Sequence, residues 1–366
     1  GTRIQQEVGC GCCSGAAGDV DRDIAGQDTV RSIADIDQHR CRGVELECLD
    51  RNCAIGGAIA ATAFTDLADL VITETLSAVR TELEAVHGTY PGAQVVVIGM
   101  GKLGSGEMTA GSDVDLILLY DYDDTAPESS GPKPLDSNRY FARLTQRLIA
   151  ALSAPTAEGV LYEVDMRLRP SGNKGPVATR IRVFEKYQME EAWTWEHMAL
   201  TRARRIAGDE MLGQQAEAIV ARVLARKVER TKIAADVAEM RQMIDSEKPP
   251  SSLWDVKLIP GGLVDIEFLA QYLTLVAPNL DPPLAGPSPN TDATLALLGP
   301  RLLPPADVDV VRAALKLYSD FAQIVRLCID GTFDPAEAPE GFKELLCQIS
   351  EVPDLKVLES EIRLRS

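Results

Sequence analysis

Apolar residues recur at helical spacing over residues 54–87, which predicts one long amphipathic helix. Further along, runs that are apolar throughout or that alternate apolar with polar residues predict strands at 93–99, 113–121 and 160–168. A second helical run at 138–153 separates the last two of these strands. The first half of the chain therefore alternates helices with strands.

Beyond residue 176 the pattern becomes helical almost throughout. Helices are predicted at 180–206, 212–246, 262–277, 291–298, 306–331 and 353–365. The predicted fold class is α+β, a mixed sheet with helices followed by a C-terminal helical bundle. We divide the chain into a poorly specified segment at 1–53, a catalytic domain with its leading helix at 54–210, and the bundle at 211–366.

Composition narrows the class of protein. The 366 residues suffice for two or three domains, and 45% hydrophobic with 25% charged residues is typical of a soluble protein. No apolar run reaches the roughly eighteen residues of a membrane span, and no basic and apolar leader opens the chain, so we expect a cytoplasmic protein without a membrane partner. The net charge of −18 disfavours nucleic acid as a partner, because nonspecific binding needs a basic surface.

The cysteines give little support for a metal site. A zinc site needs two well-spaced pairs of ligands, and the early cysteines do not offer that spacing. We expect reduced thiols without a shared role. Those that precede residue 54 are Cys10, Cys12, Cys13, Cys41, Cys48 and Cys53.

Residues 95–120 carry the strongest indication of chemistry. A buried strand enters a glycine-rich turn, and Ser112-Asp113-Val114-Asp115 then opens a second apolar strand. Residues two apart on a strand face the same way, so the two carboxylates point together and repel unless a cation lies between them. A glycine turn with free N–H groups can hold a polyphosphate. The combination indicates metal-assisted transfer from a nucleoside triphosphate.

A second polar strand face strengthens this interpretation. Alternation over residues 159–170 places Glu163, Asp165, Arg167 and Arg169 on one face. If this strand lies beside the one that begins at Asp113, Asp165 becomes a third carboxylate for the same metal pair. The two arginines then bridge to phosphate oxygens through their planar donor groups.

The glycines Gly99, Gly101 and Gly104 also fit the dinucleotide-binding pattern that follows a strand. Three features oppose that interpretation. Lys102 sits inside the turn, and only eight residues between Gly104 and Asp113 leave little room for a crossover helix. The third feature is that Ser112-Asp113-Val114-Asp115 opens the next strand with paired acids, which have no task in a dinucleotide-binding strand. We therefore favour the nucleotidyltransferase interpretation.

These motifs resemble a known family. Gly104-Ser105 followed by Ser112-Asp113-Val114-Asp115 is similar to the pattern of the nucleotidyltransferase superfamily related to DNA polymerase beta. The wider set resembles glutamine synthetase adenylyltransferases, and in particular their C-terminal, adenylylating domain. It consists, in chain order, of GMGKLGSGEMTAGSDVDLILLYD, RYFARLTQRLIAAL, GVLYEVDMRLRPSG, EAWTWEHMALTRAR and GGLVDIEFLAQYL. Gly106 and Gly111 depart from the family pattern, and we expect them to loosen the loop without removing its chemistry.

The resemblance implies a mechanism. Asp113 and Asp115 are expected to bridge two Mg²⁺ ions and Asp165 to bind one of them, while a tyrosine hydroxyl of glutamine synthetase attacks the α-phosphorus of ATP and pyrophosphate leaves. Glutamine and a PII-type signal protein are implied as regulators. The residues implied to bind the nucleotide are Gly104, Ser105, Lys102, Ser112, Arg167 and Arg169.

Several of these residues have a simpler structural interpretation. Lys102 would alternatively pair with Glu107, and the two arginines would pair with Glu163. Asp265 and Glu267 either position a substrate or cap a helix.

Three further residues are expected to be structural. At least one of Trp193 and Trp195 is expected in the core, since residues two apart do not share a helix face. We expect His197 to be a hydrogen-bonded structural histidine.

Other functions stay open on the sequence alone. A deadenylylating phosphorylase would use the same acids and release ADP. A small-molecule nucleotidyltransferase would share the metal site but not the long helical tail. A non-catalytic regulatory module would not need the three acids.

Overall fold

Helices and short strands alternate through the first half of the described chain, and helices alone fill the second half. The computed structural model describes residues 56–157, 159–281, 289–329 and 331–366. Segment 1–53, with its six cysteines, lies outside the described residues. The described helices are α1 (Gly57–His87), α2 (Gly101–Ser105), α3 (Ser137–Leu152), α4 (Ile181–Glu190), α5 (Thr194–Leu200), α6 (Glu210–Leu224), α7 (Arg230–Glu247), α8 (Leu263–Val276), α9 (Thr291–Leu302), α10 (Pro305–Cys328), α11 (Glu340–Ile349) and α12 (Leu355–Arg365). The described strands are β1 (Gln94–Gly99), β2 (Val114–Asp121), β3 (Pro155–Thr156), β4 (Gly159–Val160), β5 (Val164–Asp165), β6 (Ala178–Arg180) and β7 (Arg204–Gly208).

The main sheet is mixed. Its strands run in the order β5-β2-β1-β7, and β6 also pairs with β2. Strand β1 is antiparallel to both neighbours, whereas β2 is parallel to β5 and β6. Strands β3 and β4 form a separate antiparallel hairpin. The short parallel pairing of β2 with β5 is the part of the sheet that positions the site.

Helices cover both faces of the sheet, so β1 and β2 are buried on both sides. Val95 and Val97 pack with α1 and α3, whereas Val96 and Ile98 pack with α4 and α6 on the opposite face. This explains why the central strands are apolar throughout. Helix α6 packs in this second face of the core, and the proposed domain division at residue 211 stays a prediction.

The helices from α8 onward share a separate core, whose largest fully buried side chain is Tyr318. This region is joined to the sheet layer through the start of α1. The backbone N–H of Gly57 donates to Oδ1 of buried Asp320 on α10 over 2.6 Å. Among the described helices, none is both long and apolar enough to cross a membrane.

The predicted α+β architecture is confirmed, and so are the long first helix and the first two strands. Four element predictions were wrong. The strand predicted at 160–168 is reduced to β4 and β5 with turns around them, and the helix predicted at 180–206 is α4, α5 and then strand β7. The helix predicted at 212–246 is divided into α6 and α7, and helix α11 was not predicted at all.

Candidate functional site

The parallel pair β2–β5 brings acidic residues together at the start of β2. The register places Asp115 opposite Asp165, and Asp113 immediately precedes the strand. The turn after β1 passes close to Asp115, because the N–H of Met100 donates to its carbonyl over 2.8 Å. Gly101, at φ +51°, makes this approach possible, since a Cβ there would lie 2.3 Å from Asp115 Oδ2.

The electrostatics of Asp115 favour a cation. Burial, followed by the charges of Asp165 and Asp113, raises the pKa of the Asp115 carboxyl from 3.8 to about 6, against the opposing effects of Arg202 and Arg167. Burial is the main cause of this shift, and the two arginines only partly offset it together with the charges of the neighbouring aspartates. A carboxylate set with unbalanced charge is the donor set that Mg²⁺ prefers.

Asp165 is held by Arg167 in this arrangement. Its Oδ1 accepts the Arg167 backbone N–H over 2.8 Å, and its Oδ2 accepts from Nε over 2.7 Å and from Nη2. Burial acts to raise the pKa of the Asp165 carboxyl, but the hydrogen bonds from Arg167 outweigh it and lower that pKa. In the part of the chain that the structure describes, no three acidic, histidine or cysteine side chains converge as a ready metal site. If Asp165 is a metal ligand, its hydrogen bonds with Arg167 must break when the metal binds.

The predicted phosphate-binding turn is tightly packed. A Cβ on Gly104 would lie 1.8 Å from the carbonyl oxygen of Arg202, so only glycine fits. Buried Ser105 accepts a hydrogen bond from Arg202 Nη2 over 2.7 Å, while Ser112 Oγ bonds to the N–H of Thr109 over 3.0 Å. The hydroxyls of Ser105 and Ser112 thus already have partners within the protein, and their roles towards a nucleotide stay predictions.

The two glycines that depart from the family pattern have left-handed backbones. Gly106 has φ +75° and Gly111 has φ +62°, and a Cβ on either would meet nothing within 4 Å. Glycine is favoured there by its backbone conformation alone.

Lys102 lines a cavity between the sheet layer and the later helices. The cavity has a volume of about 610 Å³, and its wall includes Lys102, Glu107, Glu267 and Arg312. The alternative pairing of Lys102 with Glu107 is not observed. Burial lowers the pKa of the Lys102 ammonium, and Glu267 is the opposite charge that counteracts this most.

A buried arginine that we did not include in the site connects these acids. Arg202, only 6% exposed, donates from Nη1 to Glu267 over 2.8 Å and from Nη2 to Glu107 over 3.0 Å. Glu107 also accepts the N–H and hydroxyl of Thr291, at the start of α9, over 3.0 and 2.9 Å. The partners lie on distant segments, so sequence spacing gave no indication of this network.

A second, more open cleft borders two of the three acids. It has a volume of about 430 Å³ and is lined by Asp113, Asp165 and Arg167 together with the apolar side chains of Ile149 and Val177. Arg169 also borders it, but Nη1 of this arginine donates to the Met166 carbonyl over 2.7 Å. Neither Arg167 nor Arg169 forms the alternative ion pair with Glu163.

Five further residues were weighed as site or structural residues. Asp265 binds Arg241 and the N–H of Gly261, which is a structural role, whereas Glu267 faces the cavity. His197 Nε2 lies 3.0 Å from the Gln188 carbonyl, as expected for a structural histidine. The prediction that a tryptophan lies in the core was wrong, because Trp193 is 72% and Trp195 37% exposed.

A mixed sheet with covering helices and a helical C-terminal region is the architecture of a nucleotidyltransferase. Residues 58–219 match the model of the family described as Glutamate-ammonia ligase adenylyltransferase. This match confirms the resemblance of the motifs to that family.

Relatives that cover most of the chain bear a related name. The chain is 61% identical over 310 residues to the bifunctional glutamine synthetase adenylyltransferase/adenylyl-removing enzyme of Agrobacterium fabrum, a match to 85% of this chain and 31% of that protein. It is 61% identical over 312 residues to the protein of the same name from Rhizobium meliloti, with the same two shares. For the Brucella melitensis protein the identity is 53% over 311 residues, covering 84% of this chain and 31% of the relative. The chain therefore spans about a third of the length of these relatives.

Proposed function

We propose that this chain transfers AMP from ATP to a tyrosine of glutamine synthetase, with release of pyrophosphate, and thereby regulates nitrogen assimilation. The observation that carries the proposal is the register of Asp115 with Asp165 beside Asp113. The names of the relatives supply the acceptor and the nucleotide.

The three carboxylates Asp113, Asp115 and Asp165 would hold two Mg²⁺ ions. The fit is supported by the raised pKa of the Asp115 carboxyl, about 6, which burial and then the charge of Asp165 cause, because a bound cation would offset both. When bound, Mg²⁺ would neutralise the triphosphate and lower the pKa of the acceptor hydroxyl.

The protein's own groups would orient the reactants. Lys102 would bind phosphate oxygens from the cavity side, and Gly104 and Ser105 would shape the turn beneath them. The tyrosine would enter the open cleft beside Asp165, whose apolar wall of Ile149 and Val177 suits a phenol ring. Its oxygen would form a bond to the α-phosphorus as the bond to pyrophosphate breaks.

Removal of AMP is the second candidate, because the relatives' names include an adenylyl-removing activity. The same acids would serve when inorganic phosphate attacks the α-phosphorus of the tyrosine adduct. That bond change would release ADP and restore the tyrosine hydroxyl. Regulation by glutamine or a PII-type protein stays a prediction from the family resemblance.

The test uses the purified chain with Mg²⁺, α-labelled ATP and unmodified glutamine synthetase, beside an Asp113→Ala/Asp115→Ala variant. Label that the wild type alone transfers to the synthetase supports the proposal. If neither protein transfers label, adenylylation by this chain is refuted. Release of ADP from adenylylated synthetase and phosphate then tests the second candidate.

A further inference from the structure

Lys102 is unpaired although two carboxylates share its cavity. Glu107 and Glu267 line the same cavity as Lys102, yet Lys102 forms no ion pair within the described residues. A lysine ammonium on its flexible stem readily reaches a nearby carboxylate. Something must therefore keep the two acids from binding it.

Arg202 occupies both acids. Its Nη1 reaches Glu267 over 2.8 Å and its Nη2 reaches Glu107 over 3.0 Å. The guanidinium is buried, and its planar donors hold two carboxylates at once in a fixed geometry. Glu107 is held further by Thr291, so its remaining oxygen is also engaged.

We propose that Arg202 is a positioning residue that keeps Lys102 available to the phosphates of ATP by occupying Glu107 and Glu267. The proposal rests on the proposed role of Lys102 as a phosphate ligand. Without Arg202, two carboxylates on one cavity wall would face a single ammonium. Phosphate oxygens would then have to displace a carboxylate before binding Lys102, and ATP affinity would fall.

The electrostatic environment of Lys102 supports this proposal, because one acid attracts its ammonium more strongly than any other charged group. That acid is Glu267, whose charge counteracts the lowering of the Lys102 pKa by burial. Glu267 is therefore the acid that would capture Lys102 first. Removing its charge should undo the effect of losing Arg202.

The experiment measures the dissociation constant of ATP in the presence of Mg²⁺ by equilibrium dialysis of the full chain. The variants are Lys102→Met, Arg202→Met, and Arg202→Met combined with Glu267→Gln. We expect Lys102→Met and Arg202→Met each to weaken ATP binding about tenfold or more, a loss of about 1.4 kcal/mol. The double variant should bind within about threefold of the wild type, because the competing charge is gone.

Arg180 supplies a matched control. It is 7% exposed and pairs with Asp121 over 2.6 Å, at the opposite end of β2 from the acids. Arg180→Met, alone and with Asp121→Asn, should lower the melting temperature but leave ATP affinity unchanged. Should Arg202→Met fail to fold, Arg202→Lys with and without Glu267→Gln makes the same comparison, since one ammonium cannot hold both acids in the same geometry.

Each result bears on the proposal. It is overturned if Glu267→Gln gives no recovery, if Arg202→Met binds ATP like the wild type, or if Lys102→Met does. It is also overturned if Arg180→Met weakens ATP binding as much as Arg202→Met. If the wild type transfers no AMP but the variants show the expected pattern of ATP binding, the proposed function is refuted and this inference stands.

Discussion

Replacing Asp115 with Asn should stabilise the metal-free protein at neutral pH. Asn has nearly the same shape, so the close approach of Gly101 is retained while the charge is removed. The pKa of the Asp115 carboxyl is raised from 3.8 to about 6, mainly by burial and then by Asp165. A shift of this size corresponds to a penalty of about 3 kcal/mol for the folded protein once the carboxyl is ionised.

The sign of the pH dependence follows from the raised pKa. Above pH 6 the carboxyl is ionised in both the folded and the unfolded chain, and the full penalty acts on the folded chain. Between pH 6 and the ordinary pKa of 3.8 the folded chain holds the proton more tightly, so the penalty shrinks as the pH falls. The advantage of Asp115→Asn should therefore fall to about half near pH 5 and vanish below about pH 4.

The assay is thermal denaturation in a chelating buffer at pH 7.5 and pH 5, repeated at pH 7.5 with saturating Mg²⁺. We expect Asp115→Asn to raise the metal-free melting temperature by about 5 °C at pH 7.5. Mg²⁺ should stabilise the wild type and not the variant, because ligands bind the folded state. Asp113→Asn is the control, since exposed Asp113 should change the metal-free melting temperature little. A variant less stable than the wild type at pH 7.5 without metal would refute the reasoning.

Three further predictions concern packing. Gly104→Ala should lower the melting temperature and abolish AMP transfer, because its Cβ would lie 1.8 Å from the Arg202 carbonyl oxygen. Gly106→Ala, at φ +75° with open space, should lower the free energy of unfolding by only about 1 kcal/mol. Equal losses of stability in the two variants would contradict this. Asp320→Ala removes the acceptor of the Gly57 N–H and should cost about 1–3 kcal/mol, with faster hydrogen exchange at the start of α1; unchanged exchange there would count against the contact. Trp193→Ala should change the free energy of unfolding by less than about 0.5 kcal/mol in denaturant titrations, because the side chain is 72% exposed, and a larger loss would mean that it packs.

The elements that the sequence predicts best are those whose pattern is long and local. Helix α1 repeats its apolar face over eight turns or so, and β1 and β2 are apolar on both faces because helices cover both. The predicted helix at 138–153 closely matches α3. Asp136 caps the start of this helix, because its side chain accepts a hydrogen bond from the N–H of Arg139. At these positions the local sequence pattern was sufficient to predict the secondary structure.

Short strands were missed where distant pairing decides the structure. Residues 204–206 were predicted as the end of a helix, but residues 204–208 pair with β1 as β7, with a register shift between Val97 and Ile98. The alternation over 159–170 suggested one strand, but only Val164 and Asp165 pair with β2. The chain then turns, and Arg169 bonds to the carbonyl of Met166. Alternation alone does not reveal where a partner strand ends.

The candidate site divides in the same way. The approach of Asp115 to Asp165 follows from two strand patterns, and the predicted pairing is confirmed. The pairing of Lys102 with Glu107 was a local inference, and it failed because Arg202 lies 95 residues from Glu107 along the chain and binds it instead. Spacing along the chain does not show that residues so far apart meet.

The helical region contributes directly to the cavity that Lys102 lines. Glu267 comes from α8 and Thr291 from α9, and both reach the cavity that Lys102 lines. The sheet supplies the carboxylates, whereas the helices complete the set of charges around the lysine. Because these contacts cross between two separate cores, a change in how the helices pack on the sheet would alter the charges around Lys102 without touching the three acids. The sheet can thus hold its carboxylates in fixed register while the environment of the Lys102 ammonium depends on the packing of the later helices.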